Sequence, residues 1–167
     1  MGLLEPRLLI GTPSACASVA AQTEELVSKV AAAADGNAMM VLDVDPRQHE
    51  VRLQAIDAPE KAQDRWRAPM RHLASRVSSQ LVVVEYHTKD RHGRIVELVR
   101  LDGVDINHDQ IAGGAAWFYW KHTRELPREM QTAYAAAEGV AKARQVGLWQ
   151  SSLAVRPWKW WHRKPIN

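Results

Sequence analysis

The chain has 167 residues, enough for one domain with a real hydrophobic core. A formal net charge of +3 and a pI near 9.2 point to an anionic partner, although charge bears on partners and not on fold. The lone cysteine, Cys16, excludes an intramolecular disulfide and a thiolate metal cage, and no apolar run is long enough to span a bilayer.

In chain order, residues 1–22 read as a segment apart from the fold. Arg7 precedes a stretch of small and apolar residues, and Ala15-Cys16-Ala17 or Val19-Ala20-Ala21 would serve as a cleavage signal. Glu5, Gly11 and Pro13 interrupt that pattern, which leaves an export signal and a disordered tail both open. Export to the periplasm or medium follows from the first, and a cytoplasmic location from the second. Residues 23–150 read as the folded domain, and residues 151–167 as an aromatic and basic tail.

Residues 25–34 and 39–44 are β-compatible and flank Asp35-Gly36-Asn37, a hairpin turn signal. Pro46-Arg47-Gln48 makes the next turn. The chain then enters Val51-Arg52-Leu53-Gln54-Ala55-Ile56-Asp57-Ala58-Pro59-Glu60, around which the rest is organised. Alternation predicts Val51, Leu53 and Ala55 on one face and Arg52, Gln54 and Ile56 on the other, with Pro59 ending the strand. The stretch carries a guanidinium and, further on, two carboxylates three positions apart on an exit loop, a set suited to phosphate chemistry.

Pro69 opens a helix whose inward stripe is Met70, Leu73, Ala74 and Val77, with Arg67, Arg71 and Arg76 on the other face. Leu81-Val82-Val83-Val84-Glu85-Tyr86 is the clearest strand. Residues 95–101 run back, and Asp102-Gly103 closes a tight hairpin. Residues 107–112 form a short helix ended by Gly113-Gly114. A last helix covers about 128–145, with Met130, Ala133, Tyr134, Ala137 and Ala141 inward and Gly147 as a left-handed cap. Short strands interrupted by a helix, then a closing helix, fit an α+β protein built on a Greek-key barrel of the OB type.

The ordered set Asp35-Gly36-Asn37, residues 51–60, Asp90-Arg91-His92-Gly93-Arg94, Gly114-Ala115-Ala116-Trp117, Ala136-Ala137-Glu138 and Gly147-Leu148-Trp149 resembles the staphylococcal (micrococcal) thermonuclease family. The likeness runs over residues 25–149, and the order of several motifs makes it specific. It implies a five-stranded OB-type barrel with about three helices and calcium-dependent cleavage of DNA and RNA phosphodiesters. By position it implies Arg52 and Arg94 as the active-site arginines and Glu60 as the residue that activates water. Asp57 and the Ala58 carbonyl match calcium ligands, and Asp35 matches a carboxylate behind them.

The chemistry agrees with those roles. Planar guanidiniums bind two phosphate oxygens at once and stay charged at any working pH. A hard cation on oxygen ligands adds Lewis-acid polarisation, and a general base must reach the attacking water.

One departure stands out. The family reads Asp-Gly-Asp-Thr where this chain has Asp35-Gly36-Asn37-Ala38. Asn37 still offers a carbonyl oxygen as a ligand but no charge, so a calcium site here should be weak, on the order of millimolar. Loss of the hydroxyl at Ala38 is the kind of change that lowers metal affinity or activity roughly 10–100-fold. A divalent ion other than calcium would also suit such a site. The rival class is a catalytically impaired OB-fold module that binds nucleic acid or acts as a scaffold.

For DNA or RNA contact, Arg91 and His92 lie in the loop before Arg94, while Tyr119, Trp120 and Lys121 offer stacking faces beside a cation, with packing against the fold equally open for Tyr119 and Trp120. Six of the seven tryptophans fall in the last third of the chain. Of these, Trp117 is expected in the core and Trp158 and Trp160 packed on the barrel, with Trp161 and the basic end left to grip nucleic acid or a membrane surface. The histidines show no metal-ligand spacing, and the protein is expected to be a monomer.

Overall fold

Val-rich strands close on themselves in the computed structural model, which describes residues 24–86, 92–123 and 126–162. The elements begin with β1 (Glu24–Ala33), β2 (Ala38–Leu42), β3 (Gln48–Leu53), β4 (Ile56–Asp57), α1 (Arg67–Val77) and β5 (Leu81–Tyr86). They continue with β6 (Ile95–Leu101), β7 (Val104–Asp105), α2 (Ile106–Ala112), β8 (Trp117–Phe118), α3 (Arg128–Ala143) and α4 (Pro157–Trp160).

β1 pairs antiparallel with β2 and β5, β2 with β3, and β5 with β6. The circuit closes where β3 runs parallel to β6, with Val51 level with Ile95 and Arg52 with Val96. Closure removes the open edges that a five-stranded sheet would otherwise expose. The result is the α+β, five-stranded OB-type barrel expected, with three helices of about two or more turns and the short α4 among the described residues.

Alternation fills the barrel with Val30, Val41, Val51, Val82, Val84, Ile95 and Val99, all buried. Leu73 and Val77 of α1 and Ile106 and Ile111 of α2 cover its ends. Asp105 caps α2 by accepting from the His108 N–H at 2.9 Å, and it accepts from the Tyr134 hydroxyl at 2.7 Å. One carboxylate thus satisfies an orphan helix donor and fastens α3 to α2. Burial and the Asp105 carboxylate push the Tyr134 hydroxyl pKa far up, so it stays a donor.

Gly114 and Gly147 must both be glycine. Each has positive φ, and a Cβ on either would come 2.3 Å from a carbonyl oxygen of the other loop. Their approach lets the Leu148 N–H reach the Gly114 carbonyl at 2.7 Å. Asp102 and Gly103 both have positive φ, as a type I′ hairpin turn requires.

Three expectations need correction. The strand from Val51 does not alternate through to Pro59. It stops at Leu53, turns at Gln54-Ala55 with φ +59° at Ala55, and resumes as β4. Gln54 and Ile56 are therefore buried along with Ala55. In α1 the buried residues are Pro69, Leu73 and Val77, while Met70 and Ala74 are half-buried, because Pro69 takes the first inward position. In α3 the helix ends at Ala143 and Ala133 is exposed; Tyr134 covers the space between the helices instead. Residues 1–22 and Arg91 lie outside the described residues.

Candidate active site

The parallel pairing of β3 with β6 sets the arginines. Residues level with each other in a sheet share a face, so Arg52, Val96 and, two residues earlier, Arg94 all point out of the barrel on one side. Both guanidiniums line one cleft of about 1000 Å³, together with Asp35, Asn37, Ala58 and Glu60. The arginines and acids expected to act together are thus on one concave surface. Arg94 also lies 3.9 Å from Glu50 on the neighbouring strand.

Asp57 sits under the cleft floor, only 1 % exposed. β4 holds it there by pairing Asp57 with Trp117 and Ile56 with Phe118. Asn107, fully buried, fixes the turn before β4: its amide donates to the Gln54 and Glu97 carbonyls at 3.1 Å. One Asp57 oxygen, Oδ1, accepts from Arg52 Nη2 at 2.9 Å and from Asn37 Nδ2 at 3.3 Å. The other, Oδ2, is buried with no hydrogen-bond partner. Burial raises the Asp57 carboxyl to about 6, against the opposing pull of Arg52.

The loop bearing Asp35 and Asn37 is held as firmly. Asp35 Oδ1 accepts from the Asn37 N–H at 2.8 Å, and Asn37 Nδ2 also donates to the Ile56 carbonyl at 3.3 Å. Gln110, fully buried in α2, donates to the Gly36 carbonyl and accepts at Oε1 from His72 Nδ1 of α1. Gly36 packs so tightly on Pro69 and Ala58 that a Cβ would lie 2.5 and 2.6 Å from theirs.

Glu60 is half-buried on the loop after β4. Its N–H donates to Gln63 Oε1 at 2.9 Å, its carbonyl accepts from the Gln63 N–H at 2.7 Å, and Gln63 Nε2 reaches the Val155 carbonyl at 2.7 Å. The loop is therefore closed by one glutamine that also ties it to the C-terminal segment.

Of the candidates for substrate contact, Tyr119 and Lys121 line the cleft, and Tyr119 stacks on Trp158 with ring centres 4.4 Å apart. Trp117 is core, as expected. Trp120 is 60 % exposed, beside Lys121 and off the cleft walls, and His92 is exposed away from them as well. Sequence reasoning missed Lys61, His122 and Trp160 as cleft residues, and Gln63 and Gln110 as supports. Only the Pro157-Trp158-Lys159-Trp160 pattern gave any signal of them.

Among the described residues no three His, Cys, Asp or Glu side chains gather as a metal site. What suits a hard cation is partnerless Asp57 Oδ2, with Asn37 and Ala58 lining the cleft and Asp35 bonded to the Asn37 N–H. A single buried carboxylate suits weak binding rather than a tight structural site.

A family model described as staphylococcal nuclease homologue matches residues 50–151. An Escherichia coli protein named uncharacterized endonuclease is 34 % identical over 145 residues, covering 84 % of this chain and 88 % of its own length. A Haemophilus influenzae protein of the same name is 30 % identical over 166 residues, covering 99 % and 87 %. A rice protein named probable staphylococcal-like nuclease CAN1 is 29 % identical over 76 % of this chain but only 40 % of its own length. The barrel, the paired arginines on one face and these matches agree: the chain belongs to the staphylococcal nuclease homologue family.

Proposed function

We propose that this protein is a nuclease that hydrolyses phosphodiester bonds of DNA or RNA with the help of a divalent cation. The observation that carries the reading is the shared cleft of Arg52, Arg94 and Glu60 directly above the buried Asp57. Relatives named endonuclease and nuclease support it.

In this reading Arg52 and Arg94 bind the phosphate from the β3–β6 face. Each matches two oxygens, and their charge meets the negative charge that builds up in the transition state. Asp57 holds the Arg52 guanidinium in place by the 2.9 Å bond. Glu60, at the end of its closed loop, takes a proton from the water that attacks phosphorus. The bond from phosphorus to the leaving oxygen breaks, and that oxygen gains a proton from solvent in the open cleft. Asp57, Asn37 and the Ala58 carbonyl would hold the cation, which when bound supplies extra positive charge to the phosphate.

The test is digestion of single- and double-stranded DNA and RNA across calcium and magnesium series and in chelator. Cleavage that needs a divalent ion and is lost in Arg94→Ala is expected. Binding without cleavage at any divalent ion would replace the nuclease with a nucleic-acid-binding module.

A further inference from the structure

Resting on that reading, we propose that the C-terminal segment completes the substrate site, and that Trp161 stacks a base next to the scissile phosphate of a single-stranded substrate. The segment lies beyond the stretch matched to the family model, which ends at residue 151.

Three anchors fix the segment against the cleft. The Val155 carbonyl is bonded to Gln63 of the Glu60 loop. Arg156 reaches Glu138 of α3 at 3.4 Å and lies over the Trp158 ring, 5.3 Å from its centre. Trp158 in turn stacks on Tyr119 with planes 11° apart. Pro157 is buried and starts α4, so the next turn has little freedom in where it goes.

That turn delivers Trp160 and Trp161 to the wall of the cleft that holds Arg52, Glu60 and Arg94. Packing accounts for Trp158, and Trp160 is half-buried, but Trp161 remains 54 % exposed. A large indole left facing a cationic cleft offers a π-face to whatever the arginines hold. A base still paired in a duplex keeps its faces in the stack and cannot use that platform. An unpaired base can, so the platform selects single strands.

The test uses the full-length protein and equilibrium binding in EDTA of a short dye-labelled single-stranded DNA and of the same backbone with abasic residues. Trp161→Ala should weaken binding of the base-bearing strand by roughly 5- to 150-fold, as a lost base–aromatic stack does. Trp161→Phe should restore most of it, and the abasic strand should show no comparable loss. Trp161 is exposed, so neither variant disturbs the core.

Unchanged binding in Trp161→Ala, or an equal loss on both strands, overturns the proposal, as does a wild type that binds neither strand. A wild type that binds the strand through Trp161 but never cuts it overturns the nuclease reading and leaves the stacking site standing. Cleavage that persists with no effect of Trp161 does the reverse.

Discussion

Asp57→Asn should stabilise the protein at neutral pH while it impairs catalysis. The Asp57 carboxyl ionises near 3.8 in an unfolded chain and at about 6 in the fold, because burial outweighs the attraction of Arg52. The folded state therefore holds a proton that the unfolded state has released between those values. Stability falls as pH rises from about 3.8 to about 6 and stays lowered above it.

The gap corresponds to ~3 kcal/mol at neutral pH, an upper bound. Asparagine keeps the shape and removes the charge, and the lost pull of Arg52 is already contained in the raised value. A net gain of ~1–2 kcal/mol, or roughly 2–8 °C in Tm, is expected near neutral pH. It should shrink as the pH falls and be gone well below 3.8, where the wild-type carboxyl is neutral in both states. Thermal unfolding in EDTA at the two pH values reads it directly. A variant whose change in Tm is the same at both pH values would refute the reasoning, since the ionised carboxylate would then carry no net burial penalty.

Other outcomes are equally specific. Glu60→Gln should lower kcat by ~10²–10⁴-fold with little change in Tm, because the carboxylate is half-exposed; a loss under about tenfold would remove Glu60 as the base. Gly36→Ala forces a Cβ to 2.5 Å from Pro69 and 2.6 Å from Ala58. It should cost ~1–3 kcal/mol by chemical denaturation and depress cleavage as well; an unchanged midpoint would mean that the loop is not packed this way. Asn37→Asp sets a second carboxylate against Asp57. It should lower Tm in chelator, give a larger calcium-dependent rise in Tm than the wild type, and increase cleavage in calcium. A variant whose Tm ignores calcium would place Asn37 away from the ion.

The parts legible in the sequence are those with a local period or a turn of fixed chemistry. β5 announces itself by β-branched residues, the Asp102-Gly103 turn by its φ requirement, and α3 by its stripe. The break at Gln54-Ala55 was hidden because Ala55 adopts positive φ without glycine, and the only local sign of it is the adjacent apolar pair Ala55-Ile56. Gln110 and Asn107 look like surface polar residues in a short helix, yet each is fully buried and serves a carbonyl more than 40 residues away. Arg52 and Arg94 were found by motif, but what brings them together is a parallel strand pair that no local pattern displays. The return of residues 155–161 to the cleft depends on Gln63, 92 positions before Val155, and is equally invisible along the chain.

The exchange at position 37 changes what holds the floor of the site together. Two aspartates there would face each other across a buried space, and a bound cation would relieve the repulsion that Arg52 leaves. With Asn37, an amide N–H points at Asp57 Oδ1 and supplies part of that positive charge from the protein itself. Arg52 supplies more from the strand side. The site can then stay assembled without help from an ion, and the remaining need is the single oxygen Asp57 Oδ2. Dependence on a divalent ion should consequently shift from folding toward the chemical step. In the wild type, an added ion should raise cleavage at concentrations that hardly move Tm, whereas in Asn37→Asp the two should rise together.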